Sequence, residues 1–94
     1  MEPYEIMITS DAVRDLTELR NYIADVLLEP ETALSCIRTV RREIDSLSEM
    51  PARYRAMDEE PWHTRQIRRM IVKNFFVYYR IDEAARRVIV LNVI

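Results

Sequence analysis

The chain has 94 residues and a formal net charge of −2, with 49% hydrophobic and 32% charged residues. This size and composition are typical of a single folded domain and argue against disorder. Cys36 is the only cysteine, which excludes an intramolecular disulfide and a cysteine-based zinc site. The chain has no glycine, which excludes the glycine-rich loops that bind dinucleotides and phosphates. We expect neither a cofactor nor a metal site.

The N-terminal residues resemble no secretion signal, because MEPYEIMIT lacks a basic start and a long apolar run. No apolar segment approaches the roughly 18 residues that span a bilayer. We therefore expect a cytoplasmic protein with no membrane partner.

The two signs of charge are separated along the chain. Residues 65–94 contain seven basic and two acidic residues, a net of +5, and the residues before them carry a net of −7. Because the local field steers association, this basic segment is predicted to bind an anionic partner.

The first half of the chain predicts one strand and two helices. Residues 4–8 alternate between apolar and polar side chains, as a short strand does. Ser10 is the expected N-cap of an amphipathic helix over residues 11–28. Pro30 suits the first turn of a second helix, which Pro51 ends. The short link between them predicts an antiparallel helical hairpin.

The second half predicts a loop and three strands. Residues 51–64 contain two prolines and are predicted to form a long irregular loop. Strands are predicted after it, at about 65–72, 74–81 and 87–94. Three apolar residues are predicted to share one face of the last strand: Ile89, Leu91 and Val93. Since the hairpin must bury its apolar stripe against the sheet, residues 1–94 are expected to form one two-layer α+β domain. Its elements would be an N-terminal strand, an α-hairpin and a three-stranded antiparallel meander.

Four short stretches, in this order and spacing, carry a resemblance to a known family. They are LEPETA at 28–33, EEPW at 59–62, IR at 67–68 and NFFVYY at 74–79. With them the chain resembles the RelE/ParE family of bacterial type II toxins over nearly its whole length. The resemblance implies a RelE/ParE-like fold and a toxin that inhibits growth as part of a plasmid stabilization (addiction) module. It also implies a cognate antitoxin that binds the toxin in a hetero-oligomer and neutralises it.

The family has two branches with different targets. One branch cuts mRNA on the ribosome without a metal, and the ParE-like branch poisons DNA gyrase. Arg65 and Arg68 match basic residues of the ribonuclease branch at the start of the second strand. That branch also places an arginine in the following strand, where this chain has Phe76. The resemblance therefore favours the ParE-like branch.

The end of the chain supports the same preference. The family usually continues into a basic tail that carries part of the active site, whereas this chain stops at Ile94. Two alternatives stay open. One is a RelE-like mRNA endoribonuclease with Arg65 and Arg68 as phosphate clamps. The other is a non-toxic module that binds an antitoxin or regulates it.

The basic segment supplies the candidate residues for binding a target or phosphates: Arg65, Arg68, Arg69, Lys73 and Arg80. Strand alternation is expected to place Arg68 and Arg69 on opposite faces. Catalysis has no assigned residue. The candidates are Arg65, Arg68 and His63, the last because imidazole is a common general acid or base.

Three aromatic side chains in or next to the basic segment are candidates for the core or for the binding surface. Trp62 is expected to pack the loop onto the core rather than to stack on a base. Of Tyr78 and Tyr79, one is expected in the core and the other on a binding surface, and the pattern does not decide which.

Overall fold

The computed structural model describes residues 2–94. Four strands form one sheet: β1 (Glu5–Ile8), β2 (Arg68–Val72), β3 (Phe75–Asp82) and β4 (Arg87–Val93). Their order in the sheet is β1-β4-β3-β2. The last three strands pair antiparallel, and β1 pairs parallel with β4. The predicted N-terminal strand followed by an antiparallel meander is therefore confirmed.

Two helices form the hairpin between β1 and β2. They are α1 (Ser10–Asn21) and α2 (Pro30–Asp45). Helix α1 continues as a π-helical turn (Tyr22–Val26), and two 3₁₀ turns follow α2, at Ser46–Ser48 and Pro51–Arg53. The predicted N-cap was wrong by one residue, because Thr9 Oγ1 accepts the hydrogen bond from Ala12 N at 3.2 Å.

The predicted helix over residues 11–28 was wrong in its last part. After Asn21 the backbone widens, and Leu27 N donates to Tyr22 O at 3.2 Å, a π-type bond between residues five apart. Leu28 then takes a left-handed backbone conformation with φ of 55°. Leu28 thus takes the conformation that glycine often supplies after a helix, at a greater cost in strain.

The helices cover one face of the sheet. The main core joins α1, α2 and the sheet through fully or nearly fully buried residues, among them Ala12, Leu16, Val40, Ile44, Met70, Val77, Tyr79 and Val90. Cys36 is buried in a smaller cluster beside it. Apolar burial of this kind is the main stabilising term of the fold. The other face carries alternate residues of β2 and β3, and we call it the open sheet face: Arg69, Ile71, Phe76, Tyr78 and Arg80.

The predicted face of the last strand was wrong. Tyr79 pairs with Val90 and Tyr78 with Asn92, so the register shifts by one residue at Leu91. Because such a bulge reverses the alternation, Val88, Val90 and Val93 lie in the main core, whereas Ile89 and Leu91 do not.

Tyr79 is the tyrosine that lies in the core. It is fully buried, and its hydroxyl donates to Pro51 O at 2.6 Å. Desolvation by burial raises the pKa of Tyr79 to about 12.

Replacing Tyr79 by phenylalanine should lower the free energy of unfolding by about 1–2 kcal/mol, because the buried Pro51 carbonyl loses its donor. Urea denaturation measures the change. Tyr78→Phe is the matched control and should change stability by less than about 0.5 kcal/mol. Equal losses in the two variants would contradict this account of Tyr79.

Candidate binding groove on the open sheet face

A groove of about 770 Å³ lies against the open sheet face and the loop before β2. The loop supplies Trp62 and Arg65, and β3 supplies Tyr78 and Arg80. The bulged end of β4 supplies Leu91 and Asn92. The groove therefore combines aromatic rings, guanidinium groups and an apolar wall.

Two cations line the groove, Arg65 and Arg80, and neither has an ion-pair partner within residues 2–94. Within residues 2–94, no carboxylate lies within 4.0 Å of the Arg65 or Arg80 side chain, and neither guanidinium donates a hydrogen bond. The Arg65 guanidinium carbon lies 6.0 Å from the centroid of the Trp62 ring. Because unpaired guanidinium groups retain all their donors, both residues can bind an anionic ligand.

Arg65 lies in a turn and not in a strand, so the predicted strand start at residue 65 was wrong. Ile67 N donates to Trp62 O at 3.0 Å, and Gln66 takes a φ of 55°. These contacts curl the chain, and β2 begins only at Arg68. The turn places Arg65 beside Trp62 at the groove.

Arg69 lies on the same face as the groove. It pairs with Tyr78 across β2 and β3, and its guanidinium carbon lies 4.8 Å from the centroid of the Phe76 ring. This cation–π contact places the Arg69 charge over an aromatic surface.

Arg68 and Lys73 lie elsewhere. Arg68 donates to Tyr54 O at 2.5 Å and to Ala52 O at 3.4 Å, and thereby ties the 51–54 segment to the edge of the sheet. Lys73 occupies the turn between β2 and β3 and borders a different cavity, next to Phe75. The structure thus places Arg65 and Arg80 at the groove and Arg69 on the same face of the sheet. Arg68 and Lys73 lie away from these three residues.

His63 takes part in the structure of the loop. Its Nδ1 lies 2.9 Å from Met57 O. Nearby, Thr64 donates to Glu60 from its hydroxyl at 2.6 Å and from its backbone N–H at 3.2 Å. The hydroxyl hydrogen bond is the main cause that lowers the pKa of Glu60 below its ordinary value of 4.5. These contacts fix the turn that carries Trp62.

The expectation that Trp62 packs onto the core was wrong. The residue is 42% exposed and lines the groove. Aromatic character alone does not distinguish the two roles, since the hydrogen bonds of the 57–67 loop decide where the ring points.

The β4 wall of the groove was missed by sequence reasoning. Asp15 of α1 accepts from Val93 N at 2.9 Å and from Asn92 Nδ2 at 3.3 Å. Thr9 Oγ1 donates to Leu91 O at 3.1 Å. These contacts join residues more than 75 positions apart, so no local pattern signals them.

Two further findings concern the described part of the chain, residues 2–94. No helix in it is long and apolar enough to cross a membrane. It also contains no group of three or more metal-binding side chains placed to hold an ion.

Comparison with known proteins gives the family. The family model of the ParE toxin of type II toxin–antitoxin systems (parDE) matches residues 6–94. No curated protein sequence matches the chain.

Solved structures of similar fold include two from toxin–antitoxin systems. The chromosomal ParDE toxin–antitoxin system from P. aeruginosa superposes with a TM-score of 0.77 at 18% identity, covering 96% of this chain and 92% of that one. The toxin–antitoxin complex RelBE2 from Mycobacterium tuberculosis superposes with a TM-score of 0.70 at 24% identity, covering 100% of this chain and 92% of that one. Because the family model spans nearly the whole chain, this protein belongs to the ParE toxin family of type II toxin–antitoxin systems.

Proposed function

We propose that this ParE-family toxin inhibits bacterial growth by binding DNA gyrase through the groove on the open sheet face. A cognate antitoxin neutralises it in the cytoplasm. The ParE family match supports the gyrase target. The two structural neighbours come from toxin–antitoxin systems, which supports an antitoxin partner.

The placement of Arg68 is the observation that favours binding over RNA cleavage. Its Nη1 donates to the carbonyls of Ala52 and Tyr54, so this nitrogen holds the 51–54 segment in place. On the open sheet face, Phe76 offers a ring under Arg69 where the RNA-cleaving toxins would use an arginine.

The chemistry of the groove agrees with this proposal. General acid–base catalysis requires a proton donor and a proton acceptor within reach of the reacting atoms. Within residues 2–94, the side-chain carboxylate that lines the groove is that of Asp11, and its Oδ1 lies 3.5 Å from Arg14 Nη1. His63 does not line the groove. Binding through Arg65, Arg80 and the aromatic rings is therefore the better supported activity.

Induction of the chain in bacteria without its antitoxin tests the proposal. We expect growth arrest and altered plasmid supercoiling, with no new RNA 5′ ends, and restored growth when the antitoxin is produced with it. New cuts in phase with codons would contradict the gyrase mechanism and support mRNA cleavage. Unimpaired growth would contradict toxicity and support the non-toxic regulatory module.

A further inference from the structure

We propose that the tip of the helical hairpin is a self-complementary surface through which two copies of this chain form a symmetric dimer. The exposed Leu28 of each copy enters a cavity beside the hairpin tip of the other. The inference goes beyond the proposed function and does not depend on it, because no residue within 2–94 lines both this cavity and the groove on the open sheet face.

The cavity has a volume of about 710 Å³ and lies between the hairpin tip and the turn that joins β2 and β3. We call it the tip cavity. Tyr22 and Leu27 form part of its lip and remain 54% and 50% exposed. An open apolar hollow of this kind marks an interaction site. Its apolar wall comes from both helices, the π-helical turn and β3: Leu19, Tyr22, Ile23, Leu27, Cys36 and Phe75.

Leu28 supplies the matching projection. It is 79% exposed, and its φ of 55° lies in the left-handed region, where a side chain adds strain. This leucine therefore costs strain and gains little burial within its own chain. Two backbone hydrogen bonds of 3.2 Å hold the tip in this shape, from Leu27 N to Tyr22 O and from Glu29 N to Ile23 O. The apolar surface of Leu28 is thus preorganised for a partner.

A projection and a cavity on one surface are what a two-fold dimer requires. In an isologous interface the same patch serves both copies, so each feature meets its complement in the partner. Here Leu28 directly follows Leu27, which lines the tip cavity. The two insertions therefore occur side by side, and they close the dimer without leaving a free patch for a third copy.

The charges around the tip cavity are also self-complementary. Glu29 and Glu31 line it on the hairpin side, and Lys73 lines it at the turn between β2 and β3. Within residues 2–94, no ion pair joins any of these three side chains to another residue. In the two-fold dimer, Lys73 of one copy faces the two acids of the other.

This pattern of charge favours a second copy over other occupants. A peptide of a single charge is attracted at one side of the tip cavity and repelled at the other. An apolar small molecule fills the cavity but pairs with neither Lys73 nor the acids. A second copy brings the apolar projection together with both signs of charge.

Sedimentation velocity of the purified chain at increasing concentration tests the inference. We expect a mass that rises from that of one chain to that of two and no further. Leu28→Gly removes the projection and suits the left-handed backbone, so this variant should fold and should raise the dissociation constant of the dimer at least about tenfold. Val13→Ala is the control, because Val13 is exposed on α1 but does not line the tip cavity, and should change the constant less than about twofold.

An exchange of charges tests the symmetry of the dimer. Lys73→Glu alone, and Glu29→Lys with Glu31→Lys alone, each set like charges against each other and should be monomers. An equal mixture of the two variants should form a heterodimer, because both contacts then join opposite charges. Circular dichroism shows whether each variant folds, and Leu28→Gly decides if a charge variant does not.

Three results would overturn the inference. They are a mass of one chain at every concentration, equal weakening by Leu28→Gly and Val13→Ala, and absence of association in the mixture of folded charge variants. A monomeric chain that still inhibits gyrase would overturn the dimer and leave the proposed function in place.

Discussion

Replacing Arg65 and Arg80 together by alanine is expected to abolish growth inhibition while the protein stays folded. Both guanidinium groups are unpaired within residues 2–94, so their removal leaves no buried charge behind. Each charge-assisted hydrogen bond to a target contributes about 1.5–3 kcal/mol. Loss of two should weaken binding by roughly 100- to 10,000-fold. The measurement is the colony count after induction without antitoxin, with circular dichroism to show that the variant folds.

The matched control is the double variant Arg38→Ala and Arg41→Ala. These arginines are also exposed, but they lie on α2, on the other side of the sheet. The control should inhibit growth as the unmodified chain does. If the control loses toxicity and the groove variant keeps it, the assignment of the groove fails.

Asp15→Ala is expected to lower the free energy of unfolding by about 1.5–3 kcal/mol and to weaken growth inhibition. The carboxylate accepts from Val93 N and Asn92 Nδ2, and hydrogen bonds to a charged acceptor are worth about this amount. Without it, the bulged end of β4 loses these hydrogen bonds to α1, and the wall formed by Leu91 and Asn92 loosens. Urea unfolding and the induction assay measure the two effects.

Asp15 acts through the residues that it positions, so a conservative variant separates its structural role from its charge. Asp15→Asn keeps an oxygen acceptor and should recover part of both stability and toxicity. Asp25→Ala removes an exposed carboxylate with no hydrogen bond or ion pair within residues 2–94 and should be close to neutral. An equally small effect of Asp15→Ala would contradict the role of this carboxylate.

The helices and strands followed from local patterns in the sequence. Apolar residues at helical spacing predicted the hairpin, and the composition of residues 74–81 predicted β3, although it did not decide which of Tyr78 and Tyr79 is buried. Local patterns were less reliable where the backbone departs from regular geometry. The π-helical turn at Tyr22–Val26 and the left-handed Leu28 have no marker such as glycine in this chain.

The bulge in β4 shows why register is harder to predict than strand identity. Val88 to Val93 is apolar at five of its six positions, so alternation does not reveal which residues face the core. The register is set by pairing with Tyr78 and Tyr79 of β3. The shift of one residue after Val90 brings Val93 into the core and leaves Asn92 beside Leu91 on the wall of the groove.

The candidate site was predicted in part. The separation of charge identified the basic segment, and alternation correctly placed Arg68 and Arg69 on opposite faces of β2. The sequence did not show that Arg68 binds loop carbonyls, because those partners lie 14 and 16 residues earlier. It also did not show that Trp62 opens onto the groove. Both depend on the path of the loop before β2.

A supercoiling assay with purified DNA gyrase tests the central claim most directly. We expect the unmodified chain to inhibit supercoiling in proportion to its concentration. The double variant Arg65→Ala with Arg80→Ala should remove the inhibition, and Arg38→Ala with Arg41→Ala should retain it. Full gyrase activity at a saturating concentration of the folded chain, or equal inhibition by the groove variant, would contradict it.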